Sequence, residues 1–298
     1  MVEVAGVTQS LTAALLAVVA ALCNATSTVL QRQAAQTVPA ELGLRLGLIW
    51  ALLGNTLWRW AIVAMIGGFV FQAAALAVGG ISLVQPVLVV ELAFTVIILA
   101  WAFGTVPDRR EWLAIGALSA GLALFLAAAD PGPGQWVPDT AAWIAAALVT
   151  TAVAAALVAA GARAGGPIRP ALLGVAAGIG FAFTATLIKK CMTILEEDPG
   201  ALPVSWAPYA MVAAGLCSLF LLQNTLHSGP LVVAQPALTI SDPLAGILYG
   251  ALMFGEPIRT GSWLVFEAAG AGLLAYGVVV LARSQLIQTR GATAPARR

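Results

Sequence analysis

The sequence predicts an all-α fold: a polytopic membrane helix bundle of about nine transmembrane helices in a 4+1+4 inverted repeat. Three observations predict it. The 298 residues are 61% apolar and only 9% charged, with a mean hydropathy of +0.96, whereas soluble domains are about one quarter charged. The apolar residues fall in continuous windows of about twenty, the length that crosses a ~30 Å hydrocarbon core. The third and eighth windows are near copies of each other. Continuous rather than alternating apolar runs exclude a strand barrel.

The first window covers 9–31. No basic residue precedes Arg32, so it lacks the charged start of a secretory signal and is expected to be retained. "AELGLRLGLIWALLGN", 40–55, carries Glu41 and Arg45 and is short for a span; it reads as an interfacial helix, with a tenth span as the alternative. Windows at 58–78, 81–103 and 111–129 complete a first four-helix repeat over 1–130. A connecting helix at 139–160 follows. Windows at 170–190, 205–225, 229–253 and 261–283 form the second, inverted repeat over 168–284, and 285–298 reads as a disordered cytoplasmic tail.

Nine spans place eleven arginines on one side and only Lys189, Lys190 and Arg259 on the other. By the positive-inside rule the N-terminus is expected outside and the C-terminus in the cytoplasm of a multi-pass protein of the plasma (inner) membrane. Trp58, Trp60, Trp112, Trp206 and Trp263 fall at span ends as interfacial anchors.

The repeat is carried by "QPVLVVELAFTVIILAWAFGTVPDRREW" from Gln85 and "QPALTISDPLAGILYGALMFGEPIRTGSW" from Gln235. The match needs one inserted residue near Asp242-Pro243, so an irregularity is expected there in span eight. Spans one and six also match, with Ser27 opposite Thr184 and Arg32 opposite Lys189. Spans two and seven share Gln72 and Gln223, and spans four and nine share Gly121 and Gly272. Five spans separate each residue from its counterpart, so the halves enter the membrane in opposite directions, as in many secondary transporters. The runs "GALSAG" (116–121) and "AAGAG" (268–272) read as close helix packing.

Glu91 and Asp242 sit near the middle of their spans. An intramembrane carboxylate is costly and normally faces a cavity, a partner or a proton path. Equivalent positions in inverted halves meet near the midplane, where substrates and coupling ions bind. Two carboxylates held together repel, which favours a shared proton, a cationic substrate or a bridging divalent metal; structural hydrogen bonding is the competing explanation. Gln72, Gln223, Asn24, Ser27 and Thr184 add hydrogen-bonding groups for substrate or for helix packing. Gln85, Pro86, Gln235, Pro236 and Pro243 are candidate gating residues, because proline removes a backbone donor and frees a carbonyl. Glu267 is expected nearer the interface at the outer end of span nine. Cys23, Cys191 and Cys217 show no paired spacing and read as packing residues.

The single histidine, His227, excludes a HExxH zinc site, and there is neither a GxSxG elbow nor a GxxxxGK[ST] phosphate loop. No enzyme activity and no cofactor are expected. The formal net charge of +1 offers no basic stripe for nucleic acid. The expected partners are a small-molecule or cation substrate and the lipid bilayer, with a homodimer left open.

"LWRW" before span two, "ALAVGGISLVQP" (75–86), "TLHSGPLVVAQP" (225–236) and the "FGEP" turn (254–257) resemble the drug/metabolite transporter superfamily, in particular its branch of NIPA-type magnesium transporters and related actinobacterial membrane proteins. The resemblance covers nearly the whole chain. It implies a plasma-membrane carrier with a central cavity between inverted halves. NIPA-type proteins usually carry small or neutral residues where Glu91 and Asp242 stand, so magnesium does not simply carry over with the resemblance. The expected function is secondary active transport of a metabolite or drug by alternating access, with export and proton coupling favoured. The alternatives are a divalent-cation transporter, a lipid-linked sugar flippase and a non-transporting scaffold.

Overall fold

The computed structural model describes residues 2–36, 55–102, 106–132, 134–164, 168–228, 231–259 and 261–284, together with Gly104 and Gly166. The 40–55 segment, apart from Asn55, and the tail at 285–298 lie outside them. The described residues are helical, and nine segments are long and apolar enough to cross a membrane. These are span one (Thr8–Gln31, within a helix Val2–Gln36), span two (Thr56–Val78), span three (Ile81–Ala102), span four (Arg109–Ala129), span five (Thr140–Arg163), span six (Ile168–Glu197), span seven (Ala207–Thr225), span eight (Val233–Phe254) and span nine (Trp263–Ala282). Large apolar side chains such as Leu15, Val63, Leu148, Phe220 and Leu252 point outward. So much exposed apolar surface is that of a multi-pass membrane protein.

Polar caps set several span starts. Asn55 accepts from the Leu57 N–H, Asp139 from that of Ala142, and Asp108 forms a reciprocal capping box with Glu111. Gly104 and Gly255 follow spans three and eight with φ of +62° and +60°, a left-handed turn open to glycine.

Span three is broken, and span eight is not. The expected irregularity at Asp242-Pro243 is absent: Leu231–Phe254 runs as one helix through Pro236 and Pro243. The interruption falls at Val89-Val90, between helices Ile81–Leu88 and Glu91–Ala102. There the Val89 N–H bonds Pro86 O at 3.2 Å and the Val90 N–H bonds Val87 O at 3.1 Å. Such three-residue turns rise about 2.0 Å per residue against 1.5 Å in an α-helix. The stretched turn lengthens span three, and span eight carries no bulge.

Apolar helices gain little from leaving lipid for one another, so close packing through small residues decides which ones pair. Spans four and nine cross on bare glycine. A Cβ on Gly270 would stand 2.6 Å from the Phe125 nitrogen, one on Gly121 2.6 Å from the Leu274 nitrogen, and one on Gly277 2.8 Å from the Ala114 carbonyl oxygen. Gly116 and Gly272, from the two small-residue runs, have open space instead, so the contact register is Gly121 with Gly270 and Gly277. Gly174 and Gly178 let span six approach span eight at Ala234 and Leu238 in the same way.

Two apolar clusters fill the bundle at different levels. One gathers Ala13, Ala17, Leu76, Ile81, Val84, Val87, Leu187 and Phe254; the other gathers Val29, Val89, Leu92, Val96, Leu118, Val278 and Leu281. Along span three the first ends at Val87 and the second begins at Val89. Along span one, Asn24 falls between them.

Candidate functional site

Asn24, Glu91 and Asp242 form a polar layer, in which Glu91 falls between Val89 and Leu92 of the second cluster. Glu91 opens the second helix of span three, so its carboxylate sits at a helix N-terminus created by the break, where the helix dipole favours negative charge. Asn24 of span one lies near the Glu91 carboxyl, and Glu91 lies within electrostatic range of Asp242 of span eight. Asp242 Oδ1 is buried without a hydrogen-bond partner. Ser241 beside it donates to Leu238 O at 3.1 Å, and Gly178 of span six approaches both residues.

The other candidates fall into two groups. Gln85 is 2% exposed and lies against Gly246 of span eight, on the way from one end of the bundle to Asp242; its Oε1 is also buried and unpartnered. Pro86 is buried beside it. Gln235 lies near the start of span eight, donating weakly to Thr239 Oγ1 at 3.5 Å, and Pro236 is buried on the stretch packed against span six. Ser27 donates to Ala61 O at 2.8 Å and accepts from Gln31 at 2.9 Å, a tie between spans one and two. Thr184 donates to its own helix at Gly180 O and packs on Gly215 of span seven. Gln72 is half-buried, Gln223 is exposed on span seven, and Pro243 is half-buried within the unbroken helix. Glu267, expected to reach the interface, is instead buried, with Oε1 unpartnered.

One polar centre escaped sequence reasoning. The Glu256 carboxylate, within the "FGEP" turn, accepts from the Ile81 and Ser82 N–H groups at 2.8 Å each and from Lys189 Nζ at 3.0 Å. Lys189 also donates to Gly79 O at 3.0 Å and lies 5.1 Å from the Phe254 ring centre. The side chain of Glu256 is fully buried and that of Lys189 is 14% exposed. The first turn of span three has no side-chain cap of its own, so its orphan N–H groups take a carboxylate from the end of span eight. Around this centre the Trp136 N–H bonds Phe254 O, the Arg259 N–H bonds Ala129 O, and Arg259 pairs with Asp130 at 2.7 Å. That end of the bundle is tied shut. At the other end Glu111, the span-four capping residue, accepts from Ser284 beyond span nine.

Among the described residues no group of three or more His, Cys, Asp or Glu side chains is placed to hold a metal ion. The polar layer is rich in acceptors, and Lys189 is bound to Glu256 at the end of the bundle. Such a layer suits protons or a cationic or hydrogen-bond-donating guest.

No family model and no solved structure matches the chain. The chain is similar, at 28% identity over 278 residues, to an uncharacterised protein of Corynebacterium glutamicum, covering 93% of this chain and 96% of that relative.

Proposed function

We propose that the chain is a secondary active transporter of a small solute, built as a 4+1+4 inverted repeat and working by alternating access across the plasma membrane, with the N-terminus outside. The observation that carries the proposal is the nearness of two carboxyls, Glu91 and Asp242, on different helices within the apolar bundle. A pair of membrane-embedded carboxyls on different helices, away from both ends, is what an exchange of protons for a solute requires. Matching left-handed glycines after spans three and eight, and the glycine-mediated pairing of spans four and nine, support the repeat. The drug/metabolite transporter superfamily accommodates this architecture. Export of an organic cation or metabolite in exchange for protons is the favoured mode.

A divalent cation held by the same two carboxylates, keeping most of its water, is the second reading; Mg2+ is commonly bound through one or two carboxylates. Full-length protein in proteoliposomes separates the readings. Ethidium serves as the organic-cation probe and Mg2+ as the metal, each under an imposed pH gradient. Gradient-driven ethidium flux supports the leading reading, and Mg2+ flux supports the second. Failure of both probes, together with unchanged metabolite and metal content in a deletion strain, refutes transport and leaves the scaffold reading.

A further inference from the structure

The contact between spans three and eight combines two features that oppose each other. Among the described residues five buried side-chain polar atoms lack a partner, and three of them follow this one interface: Ser82 Oγ, Gln85 Oε1 and Asp242 Oδ1. Span eight faces Ser82 with Gly250 and Gln85 with Gly246, so at both levels it offers no side chain that could bond them. The row runs from the Glu256 end of the bundle to the carboxyl pair. A buried polar atom without a partner destabilises the arrangement that buries it, relative to one in which water reaches it. The closed interface is therefore unfavourable along its length. At its end, Glu256 on the span-eight side binds the first two N–H groups of span three and Lys189 of span six. These are charge-assisted bonds across the same interface.

We propose that the interface between spans three and eight is the route joining the carboxyl pair to the Glu256 end of the bundle, and that Glu256 with Lys189 is the latch holding it shut. Opening moves the first turn of span three off Glu256. Water then reaches Ser82, Gln85 and Asp242 in turn, and the separated ion pair regains hydration. The route rests on the carrier reading, but its geometry is tested without any cargo.

The test uses the full chain in vesicles with Ser82→Cys, exposed to a membrane-impermeant maleimide, and follows modification at position 82 by mass spectrometry. With the latch intact, labelling is slow. Glu256→Gln removes the charge and one acceptor, and the expected rise in rate is about ten-fold to a hundred-fold. Lys189→Met, which leaves both N–H acceptors in place, gives a smaller rise and serves if Glu256→Gln fails to fold. Gln85→Leu removes an unpartnered atom from the closed interface and lowers the rate. A rate indifferent to both latch variants overturns the proposal.

A second arm joins the helices through Gln85→Cys and Gly246→Cys. A Cβ on Gly246 stands 3.0 Å from that of Gln85, a few tenths of an ångström inside the usual disulfide range of about 3.5–4.5 Å. Oxidation is expected to stop labelling at position 82 and reduction to restore it. Continued labelling of the oxidised protein contradicts the route. Gated labelling in a protein that moves neither ethidium nor Mg2+, with metabolite and metal content unchanged in a deletion strain, overturns the transport reading and leaves the route standing.

Discussion

Replacing Glu256 by alanine is expected to be among the most destabilising single substitutions in this chain. The carboxylate satisfies two buried backbone donors, at 2.8 Å each, and one ammonium at 3.0 Å. Its loss leaves the Ile81 and Ser82 N–H groups unpaired at a buried helix start. It also leaves Lys189, 14% exposed, with the Gly79 carbonyl as its remaining acceptor. Breaking one side of a buried ion pair costs about 3–5 kcal/mol. Lys189→Met leaves the carboxylate bonded to both amides, so about 1–3 kcal/mol is expected. In the double variant the stranded ammonium is gone, and its loss of stability should fall short of the summed single losses by about 1–3 kcal/mol. Reversible unfolding in mixed micelles, followed by circular dichroism, measures all four corners of the cycle. Additive losses, or a Glu256→Ala loss below about 1 kcal/mol, would refute the claim that this carboxylate caps span three and holds Lys189.

Three further substitutions separate packing from function. Ser27→Ala removes the bond to Ala61 O between spans one and two and should lower stability by about 1 kcal/mol while leaving solute flux unchanged; a selective loss of flux would return Ser27 to the binding site. Gly270→Val places a branched side chain where even a Cβ stands 2.6 Å from the Phe125 nitrogen. It should cost about 3 kcal/mol or more by forcing spans four and nine apart, seen as a reduced monodisperse fraction in size-exclusion chromatography, whereas Gly272→Val, in open space, should behave as wild type.

The spans were legible because a bilayer imposes length and hydropathy on each crossing. Predicted limits such as 58–78 and 111–129 fall within two residues of Thr56–Val78 and Arg109–Ala129. Glu91 and Asp242 were set together only by the sequence match between spans three and eight, since nothing local to either residue points to the other. The break at Val89-Val90 was assigned to the wrong copy. An unequal repeat shows that one copy is longer, and a stretched turn in the shorter copy accommodates the difference as well as a bulge in the longer. Gly121 was picked out correctly as a packing glycine, whereas Gly272 was not. Small size marks a position as able to pack, but the helix face decides whether it does.

Glu256 was noticed only as part of a turn motif, and Lys189 only as a charge at a span end. Their roles depend on contacts 67, 110, 174 and 175 residues apart in the chain, which no local pattern encodes. One signal was available. The start of span three after Gly79-Gly80 carries no Ser, Thr, Asp or Asn cap, and buried N–H groups without a local partner must find a distant one. Ser27 and Thr184, read as hydrogen-bonding groups for substrate or for helix packing, bond backbone carbonyls within the bundle.

The central claim is that Glu91 and Asp242 act as one exchange site, and non-additivity tests it most directly. Flux driven by an imposed pH gradient is measured in proteoliposomes for wild type, Glu91→Gln, Asp242→Asn and the double variant, with each protein's unfolding transition checked in parallel. One shared site predicts that either single substitution abolishes coupled flux as completely as both together, with the fold retained. Substantial coupled flux in either single variant, or losses that multiply in the double variant as for independent sites, would contradict it.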